Sequence, residues 1–180
     1  MKKLAMEELN RISVQEFKEK QKLPLSLILD DIRSMANVGS VFRTADAFRI
    51  EKIHLCGITS RPPHREIEKT ALGATESVDW QYHENAESLV LALKAESYRI
   101  LALEQAQGSV SLTRFRPEAD VRYALILGNE VFGVNDTLLR HADAVIEIPQ
   151  FGTKHSFNVS VSAGIFLWDY FTKTIGNVLD

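Results

Sequence analysis

The chain has 180 residues, of which 45% are hydrophobic and 25% charged, and its formal net charge at pH 7 is −3. This composition is typical of one globular domain and excludes a disordered, fibrous or low-complexity protein. The apolar runs are too short to cross a bilayer, the N-terminus lacks the pattern of a signal peptide, and Cys56 is the single cysteine. We therefore expect a cytoplasmic protein without a membrane partner, an internal disulfide or a zinc site.

The predicted elements alternate along the chain. Residues 1–22 are polar and predicted to form a helical arm, because Ser13 and Glu16 have the spacing of a capping box. Five continuous apolar runs then read as strands covered on both faces. The runs are Leu25–Leu29, Ile53–Cys56, Ile100–Leu103, Ala124–Leu127 and Val145–Ile148, with helical patterns at 37–48, 85–97 and 135–142 between them. This order predicts an α/β domain over residues 23–180, with a mainly parallel sheet flanked by helices.

The last predicted helix differs from the others. From Val159 to Phe171 nearly every helical face is apolar, and a helix of that kind has to be buried on more than one side. Its own sheet covers one side, and a second copy of the chain is the most economical cover for the other. We therefore predict a homodimer, with an unusually deep core helix as the alternative.

Positive charge is concentrated between Arg33 and Lys69. This segment holds seven basic and four acidic residues and carries +3, so the rest of the chain carries −6. A basic segment in an acidic chain suits a partner that presents phosphates to one face. On this count alone, ordinary surface charge is the favoured explanation.

Several familiar kinds of site are absent from the sequence. The five histidines have no metal-ligand spacing with acids or with Cys56, so no metal is predicted. No G-x-S-x-G elbow, phosphate-binding loop or G-x-G-x-x-G fingerprint occurs. Polar residues gather instead where three predicted strands end, which is where open α/β sheets bind ligands. These segments are NVGSVFR at 37–43, GNEVFG at 128–133 and IPQFGTKHSFNVSV at 148–161.

The three segments resemble the motifs of the SpoU/TrmH branch of the SPOUT RNA methyltransferases, and the resemblance covers roughly residues 24–172. Phe157 replaces the usual Leu and Ser162 the usual Ala, and neither change removes a functional polar group. The resemblance implies a SPOUT fold with a C-terminal trefoil knot and a homodimer. It also implies transfer of a methyl group from S-adenosylmethionine to a ribose 2′-hydroxyl of tRNA or rRNA. We expect a protein without the large N-terminal substrate domain of some relatives, which favours a compact target such as tRNA, with rRNA as the alternative.

Roles for single residues follow from the matching positions. The catalytic or site-shaping positions fall on Asn37, Arg43, Glu130, Ser156 and Asn158. The positions at the cofactor crevice fall on Leu103, Glu104, Gly128, Ile148 and Phe157. Asn37 is expected to fix a turn in the first motif. Glycines 128, 133 and 152 are expected to let the backbone approach the cofactor.

Arg43 matches the catalytic arginine of the family, which is thought to act as a base. Because arginine stays protonated in proteins, a bidentate grip on a flanking phosphate is the alternative role. His155 is interpreted as a solvated loop residue. The residues expected to contact RNA are Arg33, Arg43, Arg61 and Arg65. The competing function is a non-catalytic RNA-binding homodimer of the same fold, against which the intact motifs count.

Overall fold

The structure is a computed structural model that describes residues 2–9 and 11–178. Within these residues one sheet contains seven strands in the order β3-β2-β1-β6-β4-β7-β5, and every neighbouring pair is parallel. The strands are β1 Leu23–Asp30, β2 Ile50–Cys56, β3 Trp80–His83, β4 Arg99–Leu103, β5 Val110–Ser111, β6 Tyr123–Leu127 and β7 Ala144–Glu147. The α/β class and the parallel sheet predicted from the sequence are confirmed.

Helices connect these strands and cover both faces of the sheet. They are α1 Val14–Glu19, α2 Met35–Ala47, α3 Arg65–Ala71, α4 Ala74–Ser77, α5 Ala86–Ala95, α6 Asp136–His141 and α7 Val159–Val178, with a 3₁₀ turn at Met6–Leu9. Side-chain oxygens of Ser34, Asn85 and Asn135 cap α2, α5 and α6 by accepting backbone N–H bonds. These caps explain why the helices begin directly after the loops that leave the sheet.

The core consists of two apolar layers, one on each face of the sheet. One layer joins leucines of β1 and β6 to Phe42 of α2 and to Phe166 of α7. The other packs Ile28, Cys56 and Ile126 against α5 and α6. Burial on both faces explains why the central strands are continuous apolar runs rather than alternating ones.

The predicted N-terminal arm packs against the rest of the chain through Phe17. The Ser13–Glu16 capping box is present, and it begins α1 as the sequence indicated. Phe17 of α1 is only 3% exposed and belongs to the core layer that contains α7. Met1, Asn10 and residues 179–180, which the predicted arm and domain include, lie outside the described residues.

Helix α7 is buried on one side and open on the other. Phe166 and Leu167 are fully buried, whereas Val161 is 49% and Trp168 59% exposed. The open side continues onto α2, because the Trp168 ring lies 6.2 Å from that of Phe48. The chain thus leaves an aromatic surface at the seam between α2 and α7. None of the helices in the described part combines the length and apolarity needed to span a membrane.

Candidate active site

The functional segments meet at one edge of the sheet. Because the strands are parallel, the loops after β1, β4, β6 and β7 all leave from this edge. Three of these loops, after β4, β6 and β7, surround a cavity of about 760 Å³. Of the residues predicted from the sequence, Leu103, Glu104, Gly128, Glu130, Ile148, Ser156, Phe157 and Asn158 line it. The cavity therefore contains all five predicted cofactor positions and three of the five predicted catalytic ones.

Glu130 joins the loop after β6 to the start of α2. Its carboxylate accepts hydrogen bonds from the backbone N–H groups of Arg33, at 2.9 Å, and of Ser34, at 3.0 Å. It also accepts one from the Asn37 amide at 3.0 Å. Three donors on one carboxylate fix the loop against the helix.

The same donors determine the charge of Glu130. Partial burial by itself raises the pKa of the carboxyl, but the N–H groups of Arg33 and Ser34 and the Asn37 amide outweigh burial, so the pKa lies below its usual value. Glu130 is therefore ionised near neutral pH and acts only as a hydrogen-bond acceptor. Its surroundings suit a residue that holds the site together and not a general acid.

Asn37 connects the first motif to the third. The Asn158 amide donates to the Asn37 side-chain oxygen at 3.0 Å, while Asn158 accepts from the Ser160 hydroxyl at 2.6 Å. We call Glu130, Asn37 and Asn158, with their bonds to Arg33 and Ser34, the inter-motif network. The sequence predicted that Asn37 fixes a turn, and the structure differs on this point. Asn37 lies in the first turn of α2, because the Ser34 cap begins the helix earlier.

Glu104 closes the loop after β6 from the other side. Its carboxylate accepts the N–H of Val134 at 2.9 Å and that of Gln105 at 2.8 Å. The loop itself is a tight hairpin, in which Asn129 and Gly133 form an antiparallel bridge. Glu104 was predicted as a cofactor residue, and both of these bonds join it to backbone of its own chain.

Two glycines of this loop allow close packing within the hairpin. A Cβ at Gly128 would lie 2.3 Å from the backbone of Gly133, so the missing side chain lets two parts of the hairpin touch each other. Gly133 has φ +70° and faces Glu104 in the same way. Gly152 has open space around it. Close packing within the hairpin is therefore one function of Gly128 and Gly133, and approach of their backbone to the cofactor stays a prediction.

Asn129 is a site residue that sequence reasoning left without a role. Its amide donates to the Asp31 carbonyl at 2.7 Å, and its side-chain oxygen accepts the N–H groups of Val131 and Phe132. It thereby shapes the hairpin and ties it to the end of β1. The signal was its place inside GNEVFG, where an Asn two residues before a backbone donor is typical of a side-chain-stabilised turn.

The predicted RNA-contacting arginines lie outside the cavity. Arg33, Arg43, Arg61 and Arg65 are all exposed, and none of them lines the cavity. Arg43 is on the outer face of α2, so one copy of the chain does not bring it to its own cavity. His155, expected to be a solvated loop residue, is exposed and lines the cavity rim.

The segment after β7 carries Ser156 and Phe157 without regular secondary structure. Residues 151–158 are exposed throughout, and a bond from the Gln105 amide to the His155 carbonyl at 2.8 Å holds this segment to the loop after β4. Ser156 lines the cavity but is not part of the inter-motif network. Within the residues that the structure describes, no group of His, Cys, Asp and Glu could hold a metal ion.

The comparison with known proteins identifies the family. A family model described as the SpoU rRNA Methylase family matches residues 24–168. The chain belongs to this family. The 23S rRNA (guanosine-2'-O-)-methyltransferase RlmB of Neisseria meningitidis serogroup B is 33% identical over 144 residues, which make up 80% of this chain and 56% of that protein. The chain thus spans little more than half the length of this relative.

Solved structures of SpoU proteins have the same fold. The A. aeolicus TrmH/SpoU tRNA modifying enzyme has a TM-score of 0.80 at 23% identity, over 91% of this chain and 83% of that one. An AdoMet-bound rRNA methyltransferase from Sinorhizobium meliloti has a TM-score of 0.78 at 28% identity, over 90% of this chain and 61% of that one. The predicted family and fold class are confirmed.

The cavity of this SpoU chain fits S-adenosylmethionine in size and lining. Its volume of about 760 Å³ lies in the usual range for small-molecule sites. Leu103, Leu139 and Ile148 give it apolar walls suited to an adenine ring, and Gln150, Ser156 and Asn158 give it polar groups suited to an amino-acid end. The mixture matches a ligand that is flat and apolar at one end and charged at the other.

Proposed function

We propose that the protein transfers a methyl group from S-adenosylmethionine to a ribose 2′-hydroxyl of RNA, with tRNA favoured over rRNA as the substrate. The observation that carries this proposal is the inter-motif network. It joins all three motif segments of the SpoU family beside a single cavity of suitable size. We further propose that the protein acts in the cytoplasm and that the segment after β7 takes part in the knot implied by the family resemblance.

The cofactor would lie between the loops after β4, β6 and β7. When bound, S-adenosylmethionine supplies a methyl group on a positively charged sulfur. Leu103 and Ile148 would hold its apolar part, and Phe157, 41% exposed at the cavity wall, would cover it. Glu104 and Glu130 keep the hairpin of the second motif in place for this task and do not themselves react.

Arg43 would position the substrate. A ribose hydroxyl is a poor nucleophile, so the rate of transfer depends more on the alignment of the hydroxyl with the methyl group than on how tightly the RNA binds. Arginine remains protonated in proteins, and its planar guanidinium grips a phosphate through two parallel N–H bonds. We therefore assign to Arg43 the phosphate next to the methylated ribose, and propose that the 2′-hydroxyl proton is released to solvent water as the methyl group is transferred.

A homodimer would complete the site. The open side of α7 presents Val161, Ile165 and Trp168 at helical spacing, and Phe48 of α2 extends this apolar surface. A second copy of the chain is the occupant that matches such a surface, because its own α7 has the same face. Since Arg43 does not line the cavity of its own chain, we propose that it serves the cavity of the other copy.

Light scattering tests the dimer. We expect twice the chain mass at micromolar concentration, and a monomer with Trp168→Glu, because a charge would be buried in the interface. The matched control is Leu91→Glu, an exposed apolar residue of α5 on the other face of the sheet, which should leave the mass unchanged. A monomeric wild-type protein would rule out the shared site.

Mass spectrometry of nucleosides tests the reaction. RNA from cells that lack the protein should be missing one 2′-O-methylated nucleoside, and adding the purified protein and S-adenosylmethionine should restore it. A substrate with a single 2′-deoxynucleotide at that position should accept no methyl group, because the nucleophile is gone. Methylation of the deoxy substrate would mean that a base atom is the acceptor.

A further inference from the structure

A second cavity, of about 310 Å³, lies where β2 and β3 end. It is at the same edge of the sheet as the larger cavity, and the two share no lining residue. Its walls come from the loop 57–64 and from Tyr82 of β3. In the sheet, β1 lies between β2 and β6, so the two cavities are separated along this edge by that strand.

Arg61 forms the open wall of this cavity. Its guanidinium carbon lies 4.4 Å from the centre of the Tyr82 ring, and the side chain is exposed. Among the described residues, Arg61 takes part in none of the ion pairs between side chains. A guanidinium held over a ring keeps its second face and its N–H edge available, one for stacking and the other for an anion.

The cavity is formed before any ligand arrives. The Tyr82 hydroxyl donates to the Gly57 carbonyl at 3.0 Å, which fixes the ring under the loop. Thr59 is only 3% exposed, and its hydroxyl donates to the Leu29 carbonyl at 3.0 Å while accepting the N–H of Ile32 at 2.9 Å. The loop 57–64 is thus bonded to the end of β1 and to the segment that leads into the first motif. A preformed site of this kind loses little entropy when it binds.

We propose that this second cavity binds one nucleotide of the RNA. This nucleotide is near the methylated nucleotide in the RNA strand but is not the methylated nucleotide itself. The base stacks on the free face of the Arg61 guanidinium, and the phosphate pairs with its N–H edge. This subsite lies in the segment that carries +3, where an RNA strand crossing the sheet edge would find positive charge. The proposal rests on the proposed function in taking RNA as the ligand.

Two Arg61 variants separate charge from stacking. Total RNA from cells that lack the protein serves as methyl acceptor. We expect Arg61→Ala to raise the KM for RNA about tenfold, with kcat and S-adenosylmethionine binding unchanged, because one stacked base and one phosphate contact are lost. For Arg61→Ala, the slope of the logarithm of the RNA association constant against the logarithm of the salt concentration should become less negative by about one. Arg61→Lys should recover the salt slope but not the KM, because an ammonium group does not stack.

Arg114→Ala is the matched control. It removes the same charge from an exposed position that follows β5, the outermost strand on the side of the sheet away from β3. If Arg61→Ala and Arg114→Ala give the same KM and salt slope, the subsite does not exist. A wild-type KM for Arg61→Lys would also overturn the proposal, since charge alone would then suffice.

A direct binding measurement keeps the subsite distinguishable from the reaction. A short fluorescein-labelled single-stranded RNA should bind the wild-type protein more tightly than Arg61→Ala, as measured by anisotropy. If this difference is found while the wild-type protein methylates no RNA, the proposed reaction fails and the subsite stands. If methylation proceeds and the difference is missing, the subsite fails and the reaction stands.

Discussion

The inter-motif network and the exposed face of α2 differ in whether their side chains are hydrogen-bonded within the protein. Glu130, Asn37 and Asn158 direct their side chains at one another and at the backbone. Arg43, six residues after Asn37 in α2, is exposed and lies outside the cavity. One motif therefore contains both a residue that holds the site together and a residue whose side chain is available to bind a substrate. The hydrogen bonds of a side chain, rather than its place in a motif, tell the two apart.

Replacing Arg43 should separate activity from stability most clearly. Arg43→Ala should lower methyl transfer at least a hundredfold, because the ribose hydroxyl loses its alignment, while the melting temperature and S-adenosylmethionine binding stay unchanged. Methyl transfer and calorimetry on the same preparations check this. Arg43→Lys should remain severely impaired, because it keeps the charge without the planar fork. A large fall in melting temperature would place Arg43 among the building residues instead.

Gly128 of the second motif and Gly152 of the third should differ in how much they contribute to stability. Gly128→Ala should lower the free energy of unfolding by about 2 kcal/mol or more, because its Cβ would overlap the Gly133 backbone. Gly152→Ala should change it by less than about 0.5 kcal/mol, since nothing lies within 4 Å of the added atom. Urea unfolding of both variants measures the difference. Equal effects would contradict the packing described for the hairpin.

Removing the Glu130 carboxylate should act mainly on the stability of the protein and less on methyl transfer itself. Glu130→Ala leaves the N–H groups of Arg33 and Ser34 without their acceptor, and we expect a loss of about 1–3 kcal/mol. Glu66→Ala, which breaks the exposed pair with Lys69, is the control and should cost about 0.5 kcal/mol or less. Because the folded-state pKa of Glu130 is lowered, its contribution is present above the unfolded pKa and disappears as pH falls. A Glu130→Ala deficit that does not shrink in acid would contradict this assignment.

Asp30, at the end of β1, is a carboxyl in the opposite situation. It is 8% exposed, and burial, followed by the charge of Asp31, raises its pKa from 3.8 to about 6. A raised acid pKa favours folding below about pH 4 and opposes it as pH rises towards 6 and beyond. Asp30→Asn should therefore gain about 1–2 kcal/mol over the wild type at pH 8 and much less at pH 3.5, below the unfolded pKa. Urea unfolding at the two pH values measures this, and an equal gain at both would exclude titration of Asp30 as the cause.

The sheet could be predicted from the sequence because its central strands are buried on both faces. Leu25–Leu29 and Ala124–Leu127 are visible as unbroken apolar runs for that reason. β3 and β5 were not predicted, since Trp80–His83 is only half-buried and Val110–Ser111 has two residues. Short edge strands depend on a neighbour for their hydrogen bonds, and a local pattern does not contain that neighbour.

The contacts within the site could not be derived from local patterns. Asn37 and Glu130 are 93 residues apart in the chain, and Asn37 and Asn158 are 121 apart. The family resemblance selected these residues, but it did not indicate that they bond to one another. For the same reason Arg61 was predicted as a phosphate contact without its platform, because Tyr82 follows on a strand that the sequence did not reveal.

The single thiol of the chain is a built-in reporter of conformational opening. Cys56 is fully buried at the end of β2, and burial, followed by the nearby charges of Asp30 and Asp31, raises its pKa to about 12. A thiol with these properties reacts with alkylating reagents only when the sheet edge opens. The rate of labelling in native buffer therefore measures how often this edge exposes its interior, without any engineered probe. Because Cys56 directly precedes Gly57 in the wall of the second cavity, protection of this thiol by added RNA or S-adenosylmethionine would register how strongly each ligand holds the edge closed.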